Sequence, residues 1–246
     1  MSTLWRPGEH VAIVGQTGSG KTHLIDRLLR ENRTYVVVLK TKWDPEDFDP
    51  KTAKYWKGYK RIETVRGMDD TRHTRFLLAP PLGKYPHQYD AQIREAHRLV
   101  DKVFSQGGWT VVFDERFYAE HKLGLQEGIE LLETQGRGKS ISVVSAMQRP
   151  VEVSRFALSQ ASHVFSFVGD ARDGDTLGRA TMKPFGQAVV LLTGHDFAYY
   201  HKPTRRITTG NSRGLGAVLA PVLAAADATA GAAAATMRSV GGADGR

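Results

Sequence analysis

The sequence predicts an α/β fold with a mostly parallel central sheet and helices on both faces. Three observations carry the prediction. The apolar run His10-Val-Ala-Ile-Val14 leads into Gly15-Gln-Thr-Gly-Ser-Gly-Lys-Thr22, and a segment with Leu24, Ile25, Leu28 and Leu29 at helical spacing follows at once. Further short apolar runs alternate with helix-periodic segments along the chain, as expected of strands joined by crossover helices. One of those runs, Val111-Val-Phe-Asp-Glu115, ends in two acidic residues.

The glycine-rich stretch has the full form Gly-x-x-x-x-Gly-Lys-Thr of a nucleotide phosphate-binding loop, in the required context of strand before and helix after. Each residue type answers a physical demand of holding a triphosphate. Gly15, Gly18 and Gly20 let the backbone curl, so that its N–H groups, with those of Gln16, Thr17 and Ser19, point at phosphate oxygens. Lys21 brings a mobile positive charge to the β- and γ-phosphates, and Thr22 offers a hydroxyl to Mg²⁺. The start of a helix adds partial positive charge at the same place. ATP and Mg²⁺ are the expected cofactors.

The remaining elements follow in order. Tyr35–Leu39 reads as a second strand, residues 40–73 as irregular, and Arg75–Ala79 as a strand closed by Pro80-Pro81. Ala91–Gln106 is helical by spacing, Trp109–Phe113 is a strongly apolar strand, and Leu125–Thr134 is helical. Strands are expected at Ile141–Ala146 and His163–Val168, and a hairpin of Gln187–Thr193 with Phe197–His201 around Gly194-His195-Asp196. Residues 1–213 read as one domain. Residues 214–246 are dominated by Ala and Gly, hold no aromatic residue and offer little to bury, so a flexible tail is expected beyond about residue 226.

Composition bounds the function. The 246 residues suffice for one large domain with appendages, and the absence of cysteine excludes disulfides, thiolate catalysis and cysteine-ligated zinc. No apolar run approaches the roughly 18–20 residues of a membrane span, and the N-terminus lacks the apolar core of a signal peptide, so a soluble intracellular protein is expected. The formal charge is +8 and the tail is neutral, so the excess sits on the body and favours a polyanion partner. Part of it lies in a basic and aromatic insertion at about 40–75, where Lys40, Lys42, Lys51, Lys54, Lys57, Lys60, Arg61, Arg66, Arg72 and Arg75 interleave with Trp43, Tyr55, Trp56 and Tyr59. Such a segment can neutralise phosphates and stack on bases; it can equally be a solvated insertion pinned to the domain by its aromatics.

The acidic strand end fits a phosphate-loop ATPase of the additional-strand type. Asp114 would hold the metal through water, and Glu115 would activate the attacking water. Simple kinases and GTPases usually lack a base at this point. The stretch Gln135–Pro150, QGRGKSISVVSAMQRP, then resembles the corresponding part of the FtsK/HerA superfamily of DNA translocases and packaging ATPases. In that superfamily a Gly-Arg segment leads into a strand ending in a Thr-Gln-Arg-Pro-like motif. With the phosphate loop and the acidic strand, the resemblance spans roughly residues 8 to 202.

The resemblance implies that Gln148 senses the γ-phosphate, its amide able both to donate and to accept. It implies that Arg137 is a candidate arginine finger reaching a neighbouring subunit's nucleotide, with Arg149 a second candidate. Met147 stands where the family usually has Thr, and Leu39-Lys40-Thr41-Lys42 ends the second strand where relatives often have an acidic residue. A one-domain chain without nuclease or membrane domains is more similar to a viral genome-packaging motor than to a chromosome pump. The expected partners are double-stranded DNA, further copies of the chain in a ring of five or six, and a portal or capsid-vertex protein. The expected location is the host cytoplasm, with transient residence at a virion vertex. Two alternatives stay open: an assembly or secretion ATPase that moves protein, and a non-motor enzyme such as a small-molecule kinase.

Overall fold

The computed structural model describes residues 5–41 and 54–214. Its nine strands are β1 His10–Val14, β2 Val36–Leu39, β3 Lys60–Ile62, β4 Arg75–Leu78, β5 Thr110–Phe113, β6 Ser142–Met147, β7 Ala161–Phe167, β8 Asp196–His201 and β9 Arg206–Asn211. They form one sheet in the order β3-β4-β2-β5-β6-β1-β7-β8-β9. The strands from β3 through β7 pair in parallel, and β8 and β9 are added antiparallel at one edge. The strand β6 lies between the phosphate-loop strand β1 and the acidic strand β5, which is the additional strand expected from the sequence.

Both faces of the sheet are covered, as its continuously apolar central strands require. On one face Leu24, Ile25, Leu28 and Leu29 of α1 (Lys21–Asn32) pack on Val11, Ile13, Val36, Val38, Val112 and Val144. The alternate residues Val37, Leu39, Val111, Phe113 and Val143 point the other way, against α2 (Asp90–Gln106) and α4 (Gln126–Gln135). A third cluster on that face joins Ala12, Val14, Met147 and Val164 to α5 (Phe156–Ser159), α6 (Ala171–Ala180) and α7 (Lys183–Val190). The period-2 alternation of β1 and β2 thus places every second side chain in a different core.

Two readings need correction. Residues 187–190 are not the first arm of a hairpin; they end α7. Pro184 opens this helix where a missing N–H costs nothing, and Phe185 and Val189 are buried while Val190 and Leu191 face solvent. Glycines let α6 and α7 cross almost backbone to backbone, since a Cβ on Gly186 would stand 2.1 Å from the Gly174 oxygen. The hairpin is instead β8 with β9. The segment at 40–75 is not wholly irregular either: it supplies the edge strand β3 and a 3-10 turn at Val65–Asp69. A short helix, α3 (Arg116–His121), follows Glu115 directly. The tail from residue 215 onward lies outside the described residues.

At the base of β1, buried His10 accepts a hydrogen bond at Nδ1 from the Val143 N–H (3.0 Å) and donates from Nε2 to the Glu133 oxygen (2.9 Å). Both ring nitrogens are committed to the neutral form, and burial pushes the imidazole down to about 4 from 6.5. A depressed folded-state value means that this stability is fully present above pH 6.5 and is lost as pH falls toward 4, up to about 3 kcal/mol. His10→Gln can make the same two bonds without titrating. Urea midpoints are therefore expected to fall between pH 6.5 and 4 in the wild type and to fall less steeply in the variant.

Candidate nucleotide site

Parallel neighbours end at the same edge of a sheet, so β1, β6, β5 and β2 deliver their following residues together. The registers Val14 with Met147, Phe113 with Ser145 and Leu39 with Phe113 align these ends. Around them opens a cavity of about 760 Å³, lined by Thr17, Gly18, Gly20, Lys21 and Thr22 of the loop and by Lys40, Asp114, Glu115 and Gln148 of the strand ends.

The loop is built as its composition demands. The Gly15 N–H donates to the Met147 oxygen (3.1 Å), tying the loop to β6. Gly18 and Gly20 have φ of 81° and 109°, and Gly20 turns the chain into α1. A Cβ on Gly20 would stand 2.6 Å from the Ser212 Oγ. The Lys21 ammonium donates to the Gly15 and Gln16 oxygens (2.6 and 2.9 Å), folded back over its own loop. The Ser19 hydroxyl is buried without a hydrogen-bond partner among the described residues, and a Cβ on Gly15 would stand 2.7 Å from it.

Opposite the loop, the Gln148 amide donates from Nε2 to Glu115 Oε2 (3.1 Å). Lys40, buried, places its ammonium 2.7 Å from Asp114 Oδ2. Behind Glu115 the fully buried Arg116 guanidinium binds Glu120 (2.6 Å), Glu133 and the Ser145 hydroxyl (2.8 Å), joining α3, α4 and β6. Removing one partner of such a pair strands a buried charge at a cost of about 3–5 kcal/mol. This network fixes the backbone from which Asp114 and Glu115 project.

The oxygen donors Thr22 and Asp114 suit a hard cation such as Mg²⁺, which takes one or two protein ligands and completes its shell with phosphate and water. The Lys40 ammonium on Asp114 is a stand-in positive charge at that carboxylate. No cluster of three or more His, Asp or Glu capable of holding a metal by itself occurs among the described residues.

The two arginines lie apart from this arrangement. Arg149 follows Gln148 but pairs with Asp170 and, at 3.3 Å, Asp173. Arg137 is exposed and precedes β6, at the opposite edge of the sheet from its own cavity, with its backbone against Gly8. Sequence reasoning missed further lining residues, among them Lys40, His195, Ser212 and Arg213. Lys40 was visible only as a departure from an acidic pattern. His195, Ser212 and Arg213 arrive from the ends of β8 and β9, and the His195 ring bonds the Ser19 oxygen (3.0 Å). No local motif marks them, because only the antiparallel hairpin brings them over the loop.

The basic segment is largely occupied internally. Trp56 is buried and its backbone N–H donates to Asp26 Oδ1 of α1 (3.3 Å), while Tyr59 packs on Trp56 and under Arg75. Lys60 and Arg72 both bind Asp70. Lys54 and Tyr55 line the nucleotide cavity. These aromatics pin the segment to the domain; Lys42, Trp43 and Lys51 lie outside the described residues.

No family model matches the chain. It is 26% identical over 175 residues to the DNA packaging ATPase P9 of Enterobacteria phage PRD1, an alignment covering 69% of this chain and 68% of the relative. In fold it is similar to the genome packaging NTPase B204 from Sulfolobus turreted icosahedral virus 2 in complex with ATP-gammaS, with a TM-score of 0.65, 14% identity, and 84% of this chain and 98% of that chain covered. It is also similar to the cytoplasmic domain of the type VII secretion ATPase EccC of Thermomonospora curvata, with a TM-score of 0.52, 13% identity, and 86% of this chain but 26% of that one covered. The resemblance to viral genome-packaging ATPases and the P-loop fold read from the sequence are borne out by these relatives.

Proposed function

We propose that the chain is an ATP-hydrolysing motor that packages double-stranded DNA into a viral particle. The observation that carries this reading is the Glu115–Gln148 hydrogen bond at the mouth of a phosphate-loop cavity, in a chain with a phage packaging ATPase among its relatives. A carboxylate held by an amide on the neighbouring strand is placed to accept a proton from a water beside the terminal phosphate.

In this reading ATP lies along the loop, and Lys21 leaves the Gly15 and Gln16 oxygens for the β- and γ-phosphates. Thr22 and Asp114 would hold Mg²⁺, which would supply positive charge to neutralise the phosphates. Glu115 accepts the proton of the attacking water at a carboxylate oxygen, and Gln148 orients that water and the γ-phosphate. When the terminal phosphate departs, Gln148 loses a partner and relaxes toward Glu115, which couples the site to the sheet edge. Arg137, remote from its own cavity, serves a neighbour's site in a homo-oligomeric ring of five or six; Arg149 is the other candidate.

The partners proposed are duplex DNA and a portal or capsid-vertex protein, and the location is the host cytoplasm. Among the described residues no helix is long and apolar enough to cross a membrane. Contacts to duplex phosphates are independent of sequence and fade with salt. Duplex DNA of mixed sequence is expected to raise the ATPase rate at low salt, with the gain disappearing as salt rises. An oligomeric ATPase indifferent to duplex DNA at every salt concentration favours an assembly or secretion ATPase instead.

A further inference from the structure

The end of β2 puts a buried lysine where the sequence pattern leads one to look for an acid. Lys40 is 7% exposed, its backbone N–H is fixed to the Leu78 oxygen (2.9 Å), and its ammonium lies 2.7 Å from Asp114 Oδ2 on the next strand. Its side chain therefore points into the same cavity as Lys21 and Thr22, from the opposite wall. A buried ammonium is retained only against a strong counter-charge, and Asp114 provides it.

We propose that Lys40 is a resident cation of the site, a positioning residue with two successive partners. Before nucleotide and metal arrive it neutralises Asp114 and holds that carboxylate at the cavity wall. When a divalent cation takes over Asp114, two like charges cannot share one carboxylate in so small a space, and the flexible four-carbon stem of Lys40 carries its ammonium to the terminal phosphate. The lysine of the loop and the lysine of β2 then approach the γ-phosphate from opposite walls. This inference rests on the nucleotide-site reading above and adds to it a residue that senses the terminal phosphate through charge alone.

Nucleotide binding with and without metal separates the possibilities. Titration calorimetry is performed with ATP and with ADP, each in excess EDTA and in Mg²⁺. In Mg²⁺, Lys40→Met is expected to weaken ATP binding about tenfold or more, the value of one charge-assisted contact, while leaving ADP binding unchanged. Lys40→Arg, which keeps the charge, is expected to stay within about threefold of wild type in every condition. Asp114→Asn releases Lys40 from its carboxylate, so metal-free ATP binding should tighten in that variant even as the gain from Mg²⁺ shrinks. Equal losses for ATP and ADP in Lys40→Met, or weaker metal-free ATP binding in Asp114→Asn, would overturn the proposal. Failure of the wild type to bind either nucleotide would instead overturn the nucleotide-site reading itself.

Discussion

Glu115→Gln protein is expected to bind ATP as tightly as the wild type and to hydrolyse it about 10²–10⁴-fold more slowly. The substitution keeps the size and the planar group, and the side chain can still meet Gln148 after one amide turns. What it removes is the acceptor for the proton of the attacking water. Binding is expected to survive because the phosphate loop, Lys21 and Thr22 are untouched. The Arg116 network keeps the backbone at the end of β5 in place, so loss of folding does not confound the result. Single-turnover hydrolysis alongside nucleotide titration checks both halves. Near-normal turnover would remove Glu115 from the role of base. Loss of binding together with turnover would make it a ligand of the nucleotide or its metal.

Arg137→Ala is expected to give the second large effect, a loss of roughly 10³-fold or more in turnover if Arg137 is the proposed trans finger. It is exposed and lies before β6, across the sheet from its own cavity, so any part it plays in turnover is expected at a neighbour's site. Mixing Arg137→Ala with Lys21→Ala protein should then restore part of the activity, because some interfaces pair an intact loop with an intact arginine. Arg149 offers the contrast. Its guanidinium is already tied to Asp170 and Asp173 in its own subunit, and it adjoins Gln148. Assembly with no rescue for Arg137→Ala, but rescue for Arg149→Ala, would transfer the role to Arg149.

The core of the site was legible because its chemistry is local. The phosphate loop and the Asp114-Glu115 strand end are contiguous stretches that the sequence pattern marks as candidates, and the fold brings them to one cavity. The MQRP stretch placed Gln148 at a strand end, and the insertion of β6 between β1 and β5 brought it to Glu115. What the sequence concealed depends on long-range pairing. Residues 187–190 read as a strand because an apolar run cannot by itself distinguish a buried strand from a helix packed on glycines. Lys40 could be noticed but not interpreted until β2 and β5 were known to be neighbours. His195 and Ser212 reach the loop only through an antiparallel hairpin added to a parallel sheet. The aromatic content of the 54–59 segment left two readings open, stacking on bases or pinning the segment to the domain, and Trp56 and Tyr59 seat it over α1.

Movement of DNA is the central claim, and displacement of a triplex-forming strand from duplex DNA tests it most directly. A third strand bound ahead of the motor is expected to be released in an ATP-dependent manner. Release should be independent of the flanking sequence, lost at high salt, and abolished by Glu115→Gln. Sustained ATP turnover by the oligomer on the same duplex, with the third strand left in place, would contradict the account.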